Sequence, residues 1–240
     1  AAFALPILQR LVDNPAPVQP SNARVLILTP TRELAAQVAS NINDFAKHLD
    51  ITTLTIYGGG KQDVQARKLK AGAHIIVATP GRLLEHLTAC NLSLSGVECL
   101  VLDEADRILD MGFSADVQQI LQAVNKTRQN LLFSATFSEA VKKLANLMLD
   151  KPQIVSVNKQ NSTADTVSHT VYPVEQKRKR ELLSELIGKQ NWPQVLVFAS
   201  TRESCDELVA ELNLDGIKSA VAHGDKAQGS RRRALREFTE

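Results

Sequence analysis

Short apolar runs of strand length alternate with longer amphipathic stretches through the first two-thirds of the chain. The strand-like runs fall at residues 25–28, 54–57, 75–78, 100–102, 131–133 and 154–157. Between them, apolar residues recur at helical spacing near 32–48, 62–70, 82–88, 115–124 and 139–149. This alternation predicts βαβ units and a parallel, doubly wound sheet, so the fold class is α/β. A loop holding Asn14, Pro15, Pro17 and Pro20 separates an opening helix from the first strand.

Residues 158–165 contain no apolar side chain except Ala164 and read as an interdomain linker. Beyond it the pattern restarts, with strands expected at 167–174, 195–199 and 219–222 and helices at 179–187, 203–212 and 228–238. The predicted organisation is a first domain over 1–157 and a second over 166–240. The second is small for an independent α/β domain, which reads as truncation. The opening Ala1-Ala2-Phe3-Ala4-Leu5-Pro6 has the character of a helix interior, with no initiating methionine and no cap, so the chain is expected to be a piece of a longer one.

Composition narrows the classes. Across 240 residues the net charge is only +2, so any affinity for nucleic acid must come from local patches. No apolar run approaches the length of a membrane span. Cys90, Cys99 and Cys205 form no Cys-x-x-Cys pair, and Cys99 sits inside an apolar run. That pattern argues against a metal or disulfide framework and fits a reducing, cytoplasmic compartment.

The candidate chemistry gathers where strands end. The run Cys99-Leu100-Val101-Leu102 stops at Asp103 and Glu104, with Asp106 two positions on. In open α/β sheets, ligands bind outside the carboxyl ends of the strands. Adjacent acids there suit a hydrated Mg²⁺ and an activated water, as phosphoryl transfer needs; taken alone they also fit a solvated helix start. Three further strand ends carry Pro30-Thr31-Arg32, Gly58-Gly59-Gly60 and Thr79-Pro80-Gly81-Arg82. Glycine admits close backbone approach, helix N-termini present free N–H groups to phosphates, and arginine adds a charged fork. A plain turn at Gly58–Gly60 and a simple helix cap at Thr31 are the plainer readings. Together the three loops suggest a track for a phosphodiester chain. Ser134-Ala135-Thr136 ends the strand after the acids and would either cap the next helix or bond Asp106. In the second part, His223-Gly224-Asp225 precedes Gln228 and Arg231 within a basic stretch. The remaining histidines, His86 among them, have no metal-ligand spacing and receive no role.

Taken in order, Pro-Thr-Arg-Glu-Leu-Ala, Gly-Gly, Thr-Pro-Gly-Arg, Asp-Glu-Ala-Asp, Ser-Ala-Thr and His-Gly…Gln-x-x-Arg resemble the DEAD-box ATP-dependent RNA helicases, the bacterial RhlE-like group above all. Asp110-Met111-Gly112-Phe113 adds to the likeness. The resemblance implies two RecA-like domains, with ATP and Mg²⁺ between them and RNA across both. It implies that Asp103 holds Mg²⁺ through water and Glu104 acts as general base on the attacking water. Asp106, Ser134 and Thr136 would link hydrolysis to domain closure. Pro30, Thr31, Arg32, Gly58, Gly59, Thr79, Pro80, Gly81 and Arg82 would line the RNA track, with Gln228 and Arg231 contributing from the second domain. Such contacts are indifferent to base sequence, and RNA preference rests on 2′-hydroxyls.

The family's Gly-x-Gly-Lys-Thr phosphate loop and its arginine-rich motif are not in these 240 residues. The chain by itself is therefore expected to lack ATPase activity. Its acid-bearing strand is expected to lose a neighbour, leaving the fold marginal. The alternatives are a non-catalytic RNA-clamping module and a DNA translocase. A dinucleotide enzyme is disfavoured because no Gly-x-Gly-x-x-Gly opens a helix.

Overall fold

The computed structural model describes residues 1–156 and 167–239. The chain divides into two units, residues 1–162 and 163–240. In the first, α1 (Ala4–Asp13), β1 (Ala23–Leu28), α2 (Arg32–Phe45), β2 (Thr53–Ile56), α3 (Gln62–Ala71) and β3 (Ala73–Ala78) come first. They are followed by α4 (Pro80–Thr88), β4 (Cys99–Leu102), α5 (Ala105–Asp110), α6 (Ser114–Ala123), β5 (Gln129–Leu132) and α7 (Glu139–Met148).

The strands form one sheet in the order β2-β3-β1-β4-β5, and every ladder is parallel. Parallel strands buried on both faces read as continuous apolar runs, as β1, β3 and β4 do. Because side chains alternate across a strand, the two faces build separate cores. Val25, Ile27, Ile75, Val77 and Val101 pack against Ile7, Leu8 and Leu11 of α1 and Val38 and Ile42 of α2. Leu26, Leu28, Ile76, Leu100 and Leu102 meet Leu69, Leu83, Ile108, Ile120 and Leu144 of α3 to α7. The single crossover from β1 out to β2 thus uses one face, and the three returning crossovers use the other. Right-handed connections require this division when the direction of travel reverses.

Three expectations for this unit need correction. The acid-bearing β4 keeps both neighbours, β1 and β5, so its backbone groups are paired; the edge strands of the sheet are β2 and β5. The strand expected at 154–157 is absent from its described part. Ile154 and Val155 are 73% and 78% exposed, because no described strand offers them a ladder partner; Val157 lies outside the described residues. So does the expected linker at 158–165. Helix α4 starts at Pro80, earlier than the expected Arg82, since proline at the first helical position forfeits no hydrogen bond.

The second unit contains a short 3₁₀ turn (Gln176–Arg178), α8 (Lys179–Gln190), α9 (Arg202–Leu214) and α10 (Gln228–Thr239). The helices fall where expected, but the strands at 167–174, 195–199 and 219–222 do not form among the described residues. Apolar alternation marks a face that needs covering, and a strand exists only where another strand takes its backbone groups. Here Phe198 is 88% exposed, and Leu212 is the only side chain of the described second unit that is buried.

Among the described residues no helix is long and apolar enough to cross a membrane. Cys90, Cys99 and Cys205 are free thiols, and burial pushes the Cys99 thiol up to about 11. Leu100 lies at the centre of the sheet with no exposure. Leu100→Ala is expected to lower the unfolding free energy by about 2–5 kcal/mol. Urea denaturation followed by circular dichroism checks this; a change below 1 kcal/mol contradicts the core assignment.

Candidate functional site

Register fixes one rim. Ile56, Ala78, Leu28, Leu102 and Leu132 stand in a row across the sheet. The pairing carries one step further, with Thr79 N–H donating to the Ile56 carbonyl, Thr29 to Ala78, Asp103 to Leu28 and Phe133 to Leu102. All five loops that follow therefore leave from the same edge.

The acids sit at its centre. Asp103 and Glu104 are half-buried, and Asp103 Oδ1 accepts the Glu104 N–H at 3.1 Å. Burial raises the Asp103 carboxyl above its ordinary range; that N–H bond opposes the rise and the Glu104 charge adds to it. Glu104 holds a left-handed backbone, φ 50° and ψ 54°. This conformation costs a non-glycine residue roughly 1–2 kcal/mol, and such strain gathers where a side chain must be aimed. The Ala105 N–H then donates to the Phe133 carbonyl at 2.9 Å, tying the start of α5 to the end of β5.

Asp106 is the junction. Its Oδ2 accepts from both the backbone N–H and the hydroxyl of Thr136, each at 2.9 Å. Ser134 Oγ accepts the Asp106 N–H at 3.3 Å and donates to the Thr136 carbonyl at 2.8 Å. The helix-cap reading of these hydroxyls is excluded because Ser138 itself caps α7, accepting from the Val141 N–H. Burial works to raise the Asp106 carboxyl, but the Thr136 hydroxyl, the Arg107 N–H and the Thr136 N–H together hold it below its ordinary range.

The three glycine-, proline- and arginine-bearing loops flank the acids on β1, β3 and β2. Pro30 is buried, and Thr31 does cap α2, its hydroxyl accepting from Leu34 N–H at 3.2 Å. Arg32 lies against the glycine loop. Gly59 has φ +85°, a backbone conformation that strains any residue with a Cβ, and a Cβ there would also displace the Arg32 guanidinium, 2.1 Å away at Nη1. Thr79 precedes α4 without spending its hydroxyl on a cap, and Pro80 occupies the first turn. Arg82 Nη1 donates to the Gly60 carbonyl at 3.1 Å, and its guanidinium pairs with Glu85 at 2.9 Å. Gly81 faces Phe113, the residue after the Met111-Gly112 turn that joins α5 to α6. Two side chains that motif reading passed over, Gln65 and His86, bond to one another beneath this loop cluster. Their signal in the sequence is weak: His86 falls one helical turn after Arg82.

In the second unit, Gln228 opens α10 and Arg231 follows three residues on. Near them Arg202 Nη1 pairs with Asp225 at 2.6 Å. Asp206 takes Lys226 at 2.8 Å and His223 at 3.2 Å, and the hydrogen bond from Lys226 is the main cause holding its carboxyl low. Asp206 was invisible to motif reading, because on α9 it is simply an acid on a polar helix.

A sequence profile of the DEAD/DEAH box helicases matches residues 1–144, the part that carries the acids and all three loops. The chain belongs to the DEAD/DEAH box helicase family. A second profile, the helicase conserved C-terminal domain, matches residues 178–240. CshA, a DEAD-box ATP-dependent RNA helicase of Bacillus cereus, is 39% identical over 240 residues, covering 100% of this chain and 45% of its own length. DeaD, an ATP-dependent RNA helicase of Escherichia coli, is 38% identical over 241 residues, covering 100% and 38%. The chain spans less than half the length of these curated relatives. Among solved structures, Saccharomyces cerevisiae Dbp5 bound to RNA and ADP BeF3 is similar at TM-score 0.82 and 26% identity, over 99% of this chain and 59% of that one. The yeast DEAD-box splicing factor Prp28 is similar at TM-score 0.62 and 28% identity, over 99% and 56%. The α/β fold is thus the RecA-like fold of the DEAD-box helicases.

The Asp106–Thr136 bond of this helicase-family chain has a pH signature. A carboxyl held below its unfolded value contributes stability that is complete above the ordinary range near ~3.9 and is lost as pH falls through its lowered value. The stability difference between wild type and Asp106→Asn is therefore expected to be constant from neutral pH to about pH 5 and to shrink below pH 4. Denaturant titrations at stepped pH measure it. A difference that grows on acidification contradicts the assignment.

Proposed function

We infer that the chain carries nucleotide-hydrolysing and RNA-binding surfaces of an ATP-dependent RNA helicase, whose turnover separates short RNA duplexes locally. One observation supports this most: Asp103, Glu104 and the Asp106–Thr136 junction share a rim with three loops suited to phosphate oxygens. The names of the relatives point the same way.

The acids fit Mg²⁺ and ATP. Among the described residues neither half-buried carboxylate, Asp103 or Glu104, is in an ion pair. No group of three or more His, Cys, Asp or Glu among the described residues is arranged to hold a metal. Mg²⁺ needs no such cage, since it keeps several waters and is held by one or two carboxylates together with phosphates. When bound, Mg²⁺ and ATP supply a γ-phosphoryl group whose charge the cation spreads. Asp103 offers hard oxygen to the cation's waters. Glu104, aimed by its left-handed backbone, orients the attacking water and accepts its proton. Asp106 binds Thr136 rather than the nucleotide, so it transmits the position of the acid loop to the Ser134–Thr136 turn.

RNA lies along the three loops. Gly58 and Gly59 admit its backbone closely, Thr79, Pro80 and Gly81 present the N-terminus of α4, and Arg32 and Arg82 supply charge. Pro30 sets the angle of its loop, and Thr31 keeps its hydroxyl hydrogen for a phosphate oxygen while capping α2. Gln228 and Arg231 are the candidate RNA contacts of the second domain, residues 166–240; those of the loops belong to the first domain, 1–157. The compartment is the cytoplasm, on the ground that all three thiols are free.

The test is phosphate release by the protein at its natural length. Single-stranded RNA is expected to stimulate hydrolysis, and DNA of the same sequence to fail, because the 2′-hydroxyl is what distinguishes them. Glu104→Gln is expected to lower the stimulated rate by on the order of 10²–10⁴ while RNA binding by filter retention persists. Unchanged turnover in Glu104→Gln removes it from the chemistry; absent turnover in wild type with RNA still bound leaves a clamp without hydrolysis.

A further inference from the structure

Arg82 and His86 stand four residues apart on α4 and so share one face of the helix. Arg82 Nη1 donates to the Gly60 carbonyl at 3.1 Å. His86 Nε2 lies 3.1 Å from Gln65 Oε1, and Gln65 Nε2 donates to the Tyr57 carbonyl at 2.9 Å. Tyr57 is the last residue before Gly58, and Gly60 is the last of the three glycines. Two successive turns of α4 therefore hold both ends of the glycine loop, one directly and one through Gln65. Gln65 also lies close beneath the loop: a Cβ on Gly60 would be 3.2 Å from its Nε2.

The chain of bonds has one polarity. His86 is fully buried. Its Nδ1 lies 3.3 Å from Asn91 Nδ2, an amide nitrogen that only donates. Nδ1 must then accept, which assigns the ring hydrogen to Nε2, where it meets the Gln65 carbonyl oxygen. Gln65 in turn spends its amide hydrogen on Tyr57. A neutral imidazole satisfies every member, whereas a protonated one sets an N–H against the Asn91 donor. The charged groups acting on the ring are Arg82 and Glu85 on the same helix; burial first and Arg82 second hold it neutral, with Glu85 opposing.

We propose that His86 and Gln65 are positioning residues for RNA, fixing the spacing between the Gly58–Gly60 loop and the N-terminus of α4 so that both meet one RNA backbone. Neither side chain touches the nucleic acid. This rests on the RNA reading above and adds to it which buried groups set the geometry of the track.

The experiment uses the protein at its natural length and separates the KM for RNA from the KM for ATP and from kcat at saturating RNA. His86→Leu is expected to raise the KM for RNA about tenfold, the scale of one lost buried hydrogen-bond link. The KM for ATP and kcat should stay within about twofold, since no acid at the rim is touched. His86→Gln, which keeps a donor toward Gln65, should restore the KM for RNA to within about threefold of wild type. Should His86→Leu fail to fold by thermal melt, Gln65→Leu removes the same link from a less buried site and is expected to give the same split. A merely structural role lowers kcat through loss of active protein and leaves the KM for RNA unchanged; that result overturns the proposal, as does equal damage by Gln and Leu at position 86. If wild type shows no response to RNA, the underlying reading falls and this one with it. If wild type responds and the variants keep its KM for RNA, the positioning role alone is refuted.

Discussion

The shared register of five parallel strands governs everything else in the first unit. Because Ile56, Ala78, Leu28, Leu102 and Leu132 lie in one row, residues far apart in sequence emerge within one edge of a rigid sheet. A slip of one position along β4 would send Leu100 and Leu102 to the opposite face and carry Asp103 with them. The two cores forbid that slip. Each face has its own set of large apolar side chains, and neither accepts the other's. The precision of the acids is thus inherited from the packing of α1 and α2 on one side and α3 to α7 on the other.

Upon that frame the acid loop is tied at two points and strained at one. The Ala105 N–H bond to Phe133 and the Asp106 bonds to Thr136 fix α5 against β5. Glu104 immediately precedes both ties and holds a left-handed backbone that is costly for a non-glycine residue. These ties, with the Asp103 N–H bond to the Leu28 carbonyl on its other side, hold that conformation in place. Reaction geometry set in advance is worth more than geometry assembled on binding.

Most of this was legible in the sequence, for a physical reason. Continuous apolar runs such as 25–28 and 75–78 occur where both faces are covered, and they ended where the strands ended. Asp106 meeting Thr136 follows once two strand ends are known to share a rim. What escaped was of two kinds. The strands expected at 167–174, 195–199 and 219–222 have strand-like apolar character, but that character reports a need for burial and carries no information about the neighbour that meets it. Gln65 and His86 escaped because an amide bonding a backbone carbonyl, and an imidazole bonding that amide, form no sequence motif. Their task depends on a three-dimensional neighbour, Tyr57, whose backbone oxygen is the same in every residue. Thr31 shows a mixed case: the cap was foreseeable, and it uses the hydroxyl oxygen only as an acceptor.

The groups at the rim divide by how fully the protein already occupies them. Arg32 lies against Gly59, Arg82 holds Gly60, and Thr31 holds the first turn of α2. Arg82 and Thr31 are thus already fixed by the protein's own hydrogen bonds, and under the proposed RNA reading little further ordering of them is needed. Asp103 and Glu104 are the opposite: half-buried, adjacent, like-charged and without an ion pair among the described residues. Burial already lifts the Asp103 carboxyl, a sign that its charge is uncomfortable as the site stands. Fixed side chains in the loops, beside two acids outside any ion pair among the described residues, form the arrangement on which the proposed function rests.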